Sequence, residues 1–132
     1  MEPRSKSYVI PLKPISWKRA GISDRRFYDH QLSEKIAYGL YINRCHGNEP
    51  IFQGPVVLEV VFYMAKSQGK KNKPKTHHHM FAPDLSNLIK LLEDAIVDTK
   101  VVLTDDRIIS KIIAKKVYDD NPRTEFILRE LE

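Results

Sequence analysis

Cysteine is nearly missing from this chain, with Cys45 alone among 132 residues. A single thiol excludes an intrachain disulfide and a cysteine-built metal cluster, and it fits a reducing cytoplasm. Long apolar runs are missing too. The N-terminal residues 1–17 contain no apolar stretch of the roughly 7–15 residues that a secretory signal uses. Nowhere does the sequence approach the ~20 consecutive apolar residues of a membrane span. A protein neither secreted by that route nor membrane-spanning is expected, and no internal repeat suggests a solenoid or array.

What is present suffices for one domain and little more. The apolar fraction is 42% over 132 residues, and domains of about 100–150 residues are common. A core of this size leaves roughly a third of the unfolded surface exposed, which an oligomer would help to cover. The formal charge is +5, from 22 basic against 17 acidic residues, and the excess is local. Lys66, Lys70, Lys71, Lys73 and Lys75 fall within ten residues that contain no acid, so the rest of the chain balances. Concentrated positive charge attracts polyanions by counterion release, which makes nucleic acid the leading partner. A solvated lysine loop kept for solubility is the bland alternative.

Residues 7–12 read as a short strand that ends in a turn marked by Pro11 and Pro14. Residues 17–29 read as a polar loop rich in arginine and aromatic side chains, whose groups, Lys18 and Arg19 included, could touch DNA. Asp29 fits the cap of a helix reaching about Arg44, with Leu32, Ile36, Leu40 and Tyr41 at helical spacing and Gly47 and Pro50 ending it. Residues 56–63 are rich in β-branched and aromatic residues, with a single charge at Glu59, and predict a central strand. From 66 to 82 apolar periodicity disappears, which predicts a basic loop of functional length. A second helix is expected over 85–96, with Leu85, Leu88, Ile89, Leu92, Ala95 and Ile96 on its apolar face and Asn87, Lys90, Glu93 and Asp94 on the other. Strands over 107–118 and 124–131, joined at Asn121 and Pro122, predict an antiparallel hairpin. The sum is an α+β domain: a small, mostly antiparallel sheet of about four strands with two helices packed on it.

Chemistry concentrates in residues 83–106. Asp84 stands immediately before the second helix, and Asp105 and Asp106 immediately before a strand. Folding can bring such element ends together around a divalent metal. Phosphodiester hydrolysis needs a positioned water and neutralisation of charge on the phosphate, both of which carboxylate-held magnesium supplies. Magnesium takes only one or two protein carboxylates and keeps waters and substrate oxygens elsewhere. Lys90, a turn and a half beyond Asp84, can offset developing negative charge. The same residues have blander readings: Asp84 as a helix cap, Asp94 as an i,i+4 partner of Lys90, and Asp105–Asp106 as a turn. The tract His77, His78, His79 reads as loop contacts to phosphate or solvent. Consecutive side chains diverge, and no cysteine completes a zinc set.

On Pro83, Asp84, Leu85, Ser86, Asn87, Leu88, Ile89 and Lys90, on Asp94–Ala95, and on Asp105–Asp106 ahead of Ile108 and Ile109, the chain resembles the RusA family of Holliday junction resolvases. The resemblance extends more loosely to the first strand, to Trp17–Lys18–Arg19, to the histidine-containing loop and to the closing strands. It implies a single RusA-like endonuclease domain over 1–132, in a cytoplasmic bacterial protein that prophages often encode. It also implies a homodimer that cuts four-way DNA junctions by paired symmetric nicks, with Mg2+ (Mn2+ as substitute) and no small-molecule cofactor. Carried over by position, Asp84 and Asp106 are metal ligands, Asp105 is a ligand or its close support, and Lys90 is the catalytic lysine. Asn87 and Asp94 hold the site in shape. Lys18, Arg19, Lys66, Lys70, Lys71, Lys73, Lys75, His77 and His79 are the DNA contacts expected beside them. One departure matters: the family pattern often carries an acid where this chain has Ser86, a weaker and neutral ligand. A non-catalytic or weakly catalytic branched-DNA-binding protein is the alternative this opens.

Overall fold

A computed structural model describes residues 3–18, 21–23, 26–28, 31–66 and 78–131, the two shortest of these segments as backbone only. Two helices cover one face of a four-stranded mixed sheet, the α+β arrangement expected. In chain order the elements are β1 (Ser5–Ile10), β2 (Gly21–Ser23), β3 (Arg26–Tyr28), α1 (Leu32–His46), β4 (Val56–Ala65), α2 (Leu85–Asp98), β5 (Ile109–Asp119) and β6 (Arg123–Glu130). A single 3-10 turn, Asp106–Ile108, precedes β5. The main sheet runs β1-β6-β4-β5. β6 is antiparallel to both of its neighbours, whereas β4 and β5 are parallel. A parallel pair needs a long crossover, and the segment containing α2 supplies it.

Alternation along the strands sets the core. Leu58, Val60, Phe62 and Met64 of β4, Phe126 and Leu128 of β6, and Tyr8 and Ile10 of β1 point toward the helices and are buried. From α2 they meet Leu88, Leu91, Leu92, Ala95 and Ile96, an apolar stripe at helical spacing. Leu91 joins the stripe read from the sequence, while Leu85 and Ile89 are only partly buried at its margin.

Three sequence readings change. First, β5 and β6 do not form the expected hairpin, because β4 lies between them. The turn after Asp119 straddles the end of β4. Arg123 Nη1 donates to Asp119 Oδ2 at 2.7 Å and lays its guanidinium 3.7 Å from the centre of the Tyr63 ring. The β-branched strand β4 gains a neighbour on each side this way, and β5 takes the edge. Exposed Lys111 and Lys115 blunt that edge against further pairing.

Second, the region read as a loop over 17–29 holds a small antiparallel ribbon, Gly21–Ser23 on Arg26–Tyr28. The candidate cap Asp29 lies outside the described residues; Gln31 precedes α1 and makes no side-chain cap bond.

Third, α1 packs by a different face. Leu32, Ile36 and Leu40 are 53%, 56% and 60% exposed, whereas Tyr38, Gly39, Ile42 and His46 are buried. At about 100° per residue the two sets occupy adjacent arcs, so α1 has two apolar faces. The inward one contains groups that find buried polar partners. Tyr38 donates to the Lys13 carbonyl at 2.6 Å, and the Tyr8 hydroxyl meets His46 Nδ1 at 2.7 Å. The helix stops at Gly47, as its sequence implied; φ there is 59°, a conformation a side chain strains, and its N–H reaches Asn43 O at 3.0 Å.

Candidate active site

Asp84 heads α2 without capping it. Its backbone is extended (φ −65°, ψ 141°), and its side chain accepts no cap hydrogen bond. Only its carbonyl serves the helix, accepting from Asn87 N–H at 3.1 Å and Leu88 N–H at 3.2 Å. The carboxylate is exposed and makes no hydrogen bond or ion pair among the described residues. It stands at the positive end of the helix dipole, where anionic groups are stabilised. The chain is delivered there by Lys116 of β5, whose ammonium donates to Phe81 O at 2.6 Å and Pro83 O at 2.7 Å. The helix-cap reading of Asp84 therefore does not hold for its side chain.

Beyond that end, Lys90 lays its ammonium 3.7 Å from the centre of the Trp17 ring. Trp17 is held to the first turn of α2 by its N–H, which donates to Asn87 O at 2.9 Å. The segment on either side is clipped by buried Gln31, which donates to Ser16 O and accepts from Lys18 N–H, both at 2.7 Å. Asn87 thus acts in the structure through its carbonyl. Lys18 is exposed next to this clip.

The acidic pair lies farther along the same helix. Phe52 fixes the approach: its N–H donates to Val102 O at 2.8 Å and its carbonyl accepts from Thr104 N–H at 3.3 Å. Asp105 then opens the 3-10 turn, accepting from Arg107 N–H at 2.9 Å. That bond, a hydrogen bond from Asp106 and the Arg107 side chain hold the Asp105 carboxyl down to about 2. The same bond to Asp105, then slight desolvation and the charges of Asp105 and Asp94, push the exposed Asp106 upward. The two neighbouring carboxyls thus shift in opposite directions, as adjacent acids do. Glu93, half-buried on α2, is pushed upward by burial and by the charges of Asp106 and Asp94, and Lys90 partly offsets this. Asp94 pairs with Lys35 of α1 at 3.5 Å, bridging the helices.

The structure therefore brings Glu93 and Asp94 toward the Asp105–Asp106 turn, while Lys90 acts on Glu93 and rests on Trp17. Asp84 is not among the charges that act on Asp106. Glu93 lies nine residues beyond Asp84, about 14 Å along the helix axis. Among the described residues no three histidine, cysteine or acidic side chains converge on one metal position. The donor chemistry nonetheless suits magnesium: hard carboxylate oxygens, one without a partner among the described residues at Asp84 and two adjacent at Asp105 and Asp106. Ser86 is exposed in the first turn and adds only a neutral hydroxyl.

Of the expected DNA contacts, Arg19, Lys70, Lys71, Lys73, Lys75 and His77 lie outside the described residues. Lys66 is exposed and pairs with Asp120 at 3.0 Å. His79 is fastened to β5 by its N–H, which donates to Lys116 O at 3.0 Å, and its ring packs 4.9 Å from that of Tyr118. Burial and the Lys116 charge depress its pKa, and these contacts anchor residue 79 on β5. Lys116 and Gln31 escaped the sequence reading. Their contacts reach across 33 to 35 and 13 to 15 residues, and no local pattern marks them.

A family model described as endodeoxyribonuclease RusA matches residues 11–129. The uncharacterized protein YqaN of Bacillus subtilis (strain 168) is 32% identical over 94 residues, covering 65% of this chain and 65% of that protein. The chain thus spans about 65% of the length of the curated relative it matches.

Proposed function

The chain belongs to the RusA endodeoxyribonuclease family, and on that premise we propose that it is a magnesium-dependent nuclease resolving four-way DNA junctions. The observation that carries this reading is the Asp84 carboxylate at the head of α2, without a partner among the described residues, with Lys90 a turn and a half beyond it and the Asp105–Asp106 pair beside the far part of the same helix. Asp105 and Asp106 are the residues that would hold magnesium, or manganese in its place, and Asp84, at the other end of α2, would offer its carboxylate to a separate ion. The metal, when bound, neutralises phosphate charge and makes water a competent nucleophile near neutral pH. Lys90 faces the scissile phosphate and offsets the charge that develops on it. Asp94, tied to Lys35, keeps α2 in register with α1. Lys18, Arg19, Lys66 and the lysines at 70, 71, 73 and 75 engage the junction arms.

Two symmetric nicks require two equivalent sites, and a two-fold homodimer supplies them. The exposed Leu32–Ile36–Leu40 stripe on α1 supports such an assembly, since contiguous exposed apolar surface commonly marks an interface.

Side-by-side cleavage of a synthetic four-way junction, a linear duplex and a flap with magnesium tests the proposal. Preferential paired nicking of the junction is expected. A junction left intact, while an established resolvase cuts it under the same conditions, refutes it. A second reading is favoured by Ser86 and by the lack of a converging three-acid set among the described residues: a branched-DNA-binding protein with weak or no turnover. Tight, salt-sensitive junction binding without nicking would select it.

A further inference from the structure

Lysine carries its charge on a flexible four-carbon stem, and an exposed one samples many rotamers. Lys90 is exposed, yet its ammonium rests on the only tryptophan in the chain, 3.7 Å from the ring centre and well inside the range of a cation–π contact. We infer that Trp17 is a positioning residue for Lys90, holding the ammonium on its ring face beside the head of α2 until a phosphate takes it. The inference rests on the assignment of Lys90 to the cleavage reaction.

The ring can do this because it is itself fixed. The preceding chain is held where Tyr38 donates to Lys13 O at 2.6 Å. Gln31, 3% exposed, grips Ser16 O and Lys18 N–H on either side of the tryptophan, each at 2.7 Å. Trp17 N–H donates to Asn87 O at 2.9 Å. Asn87 and Lys90 are three residues apart on one helix, so they share a face and the anchored ring lies beneath the lysine. A π face is also a suitable holder. Glu93 and Asp94 are near in sequence, and a carboxylate partner would neutralise the ammonium and compete with a phosphate for it. A ring attracts the cation more weakly and leaves its charge available.

Because Trp17 is the only tryptophan, its emission reports the contact directly. In the full-length protein, Lys90→Met is expected to change Trp17 emission while far-UV circular dichroism stays the same. In single-turnover junction cleavage, Trp17→Leu is expected to lose about 10-fold in rate or more, the scale of a misplaced catalytic group, with junction affinity within about twofold of wild type. Trp17→Phe, which restores a π face, is expected to recover most of that rate. In the Lys90→Met background Trp17→Leu should add nothing, because the ring then has no ammonium to hold.

Wild-type cleavage by Trp17→Leu overturns the inference, and so does an equal slowing by Trp17→Leu with and without Lys90. If Trp17→Leu does not fold, the tryptophan emission still decides, since unchanged emission in Lys90→Met removes the contact on which everything depends. A wild-type protein that leaves the junction intact overturns the nuclease reading and this inference together. A wild type that cuts while Trp17→Leu cuts equally fast overturns this inference alone.

Discussion

The ammonium of Lys116 lies 2.7 Å from the carbonyl oxygen of Pro83, the residue before Asp84, and 2.6 Å from that of Phe81. A charged donor on β5 thereby fixes the path by which the chain enters α2, and with it the place of the Asp84 carboxylate. Hydrogen bonds to charged groups contribute about 1.5–3 kcal/mol each, but these are partly exposed and belong near the low end. Lys116→Met keeps the stem and removes both bonds. The expected result is a stability loss of about 2–3 kcal/mol together with a fall in junction cleavage of about 10-fold, read by urea titration and single-turnover kinetics.

The charge of Asp105 helps push Asp106 upward, so replacing one of the two relieves repulsion while removing an oxygen ligand. Asp106→Asn should bring cleavage down by about 100-fold or more, the scale of losing a principal electrostatic stabiliser. Junction binding, measured by gel shift without a catalytic metal, should persist or tighten, because a charge that repels phosphate has gone. Binding and cleavage falling together would instead point to a folding defect.

The parts legible from sequence were those governed by local period. The α2 stripe at helical spacing, the β-branched run of β4 and the glycine stop at Gly47 all appear in the structure at the expected positions. Choices among long-range partners were not legible. Nothing between Asp119 and Arg123 states that β6 crosses to the far side of β4, because a tight turn serves a hairpin equally well. On α1 the sequence offers two apolar faces, and burial follows the one whose Tyr38 and His46 find hydrogen-bond partners. For the candidate site, the order of the acids and the lysine suggests them but not their arrangement. That Asp84 does not cap its helix, and that Trp17 lies against Lys90, depends on tertiary contacts.

The second apolar face of α1 bears on assembly. Leu32, Ile36 and Leu40 stand one turn apart in a row, all more than half exposed. A glutamate at the middle position puts a charge where a partner's apolar surface would desolvate it, at a cost that a small interface does not recover. Ile36→Glu should therefore leave the monomer fold intact and shift the species seen by light scattering from a dimer to the 15.4 kDa protomer. Paired nicking should decay into independent single nicks. A wild-type protein already monomeric at micromolar concentration would remove α1 as the dimer surface.

Buried His46 gives stability a defined pH dependence. Its ring stacks on Tyr8, whose hydroxyl meets Nδ1 at 2.7 Å, and burial depresses its pKa below the ordinary histidine value of 6.5. In the unfolded chain the imidazole gains a proton near 6.5, whereas in the folded chain it resists until the pH is lower. Between those values the unfolded state binds more protons, so stability rises with pH. The contribution of His46 is accordingly complete above about 6.5 and is lost as pH falls from there through the folded-state pKa. Urea midpoints measured at pH 7.5 and 5.5 should show this loss in the wild type. His46→Gln should show a smaller difference between the two pH values, after an initial cost of about 1–3 kcal/mol for leaving the Tyr8 hydroxyl without its partner. An undiminished difference in that variant would assign the acid sensitivity elsewhere, with His79, also depressed by burial, as the next group to replace.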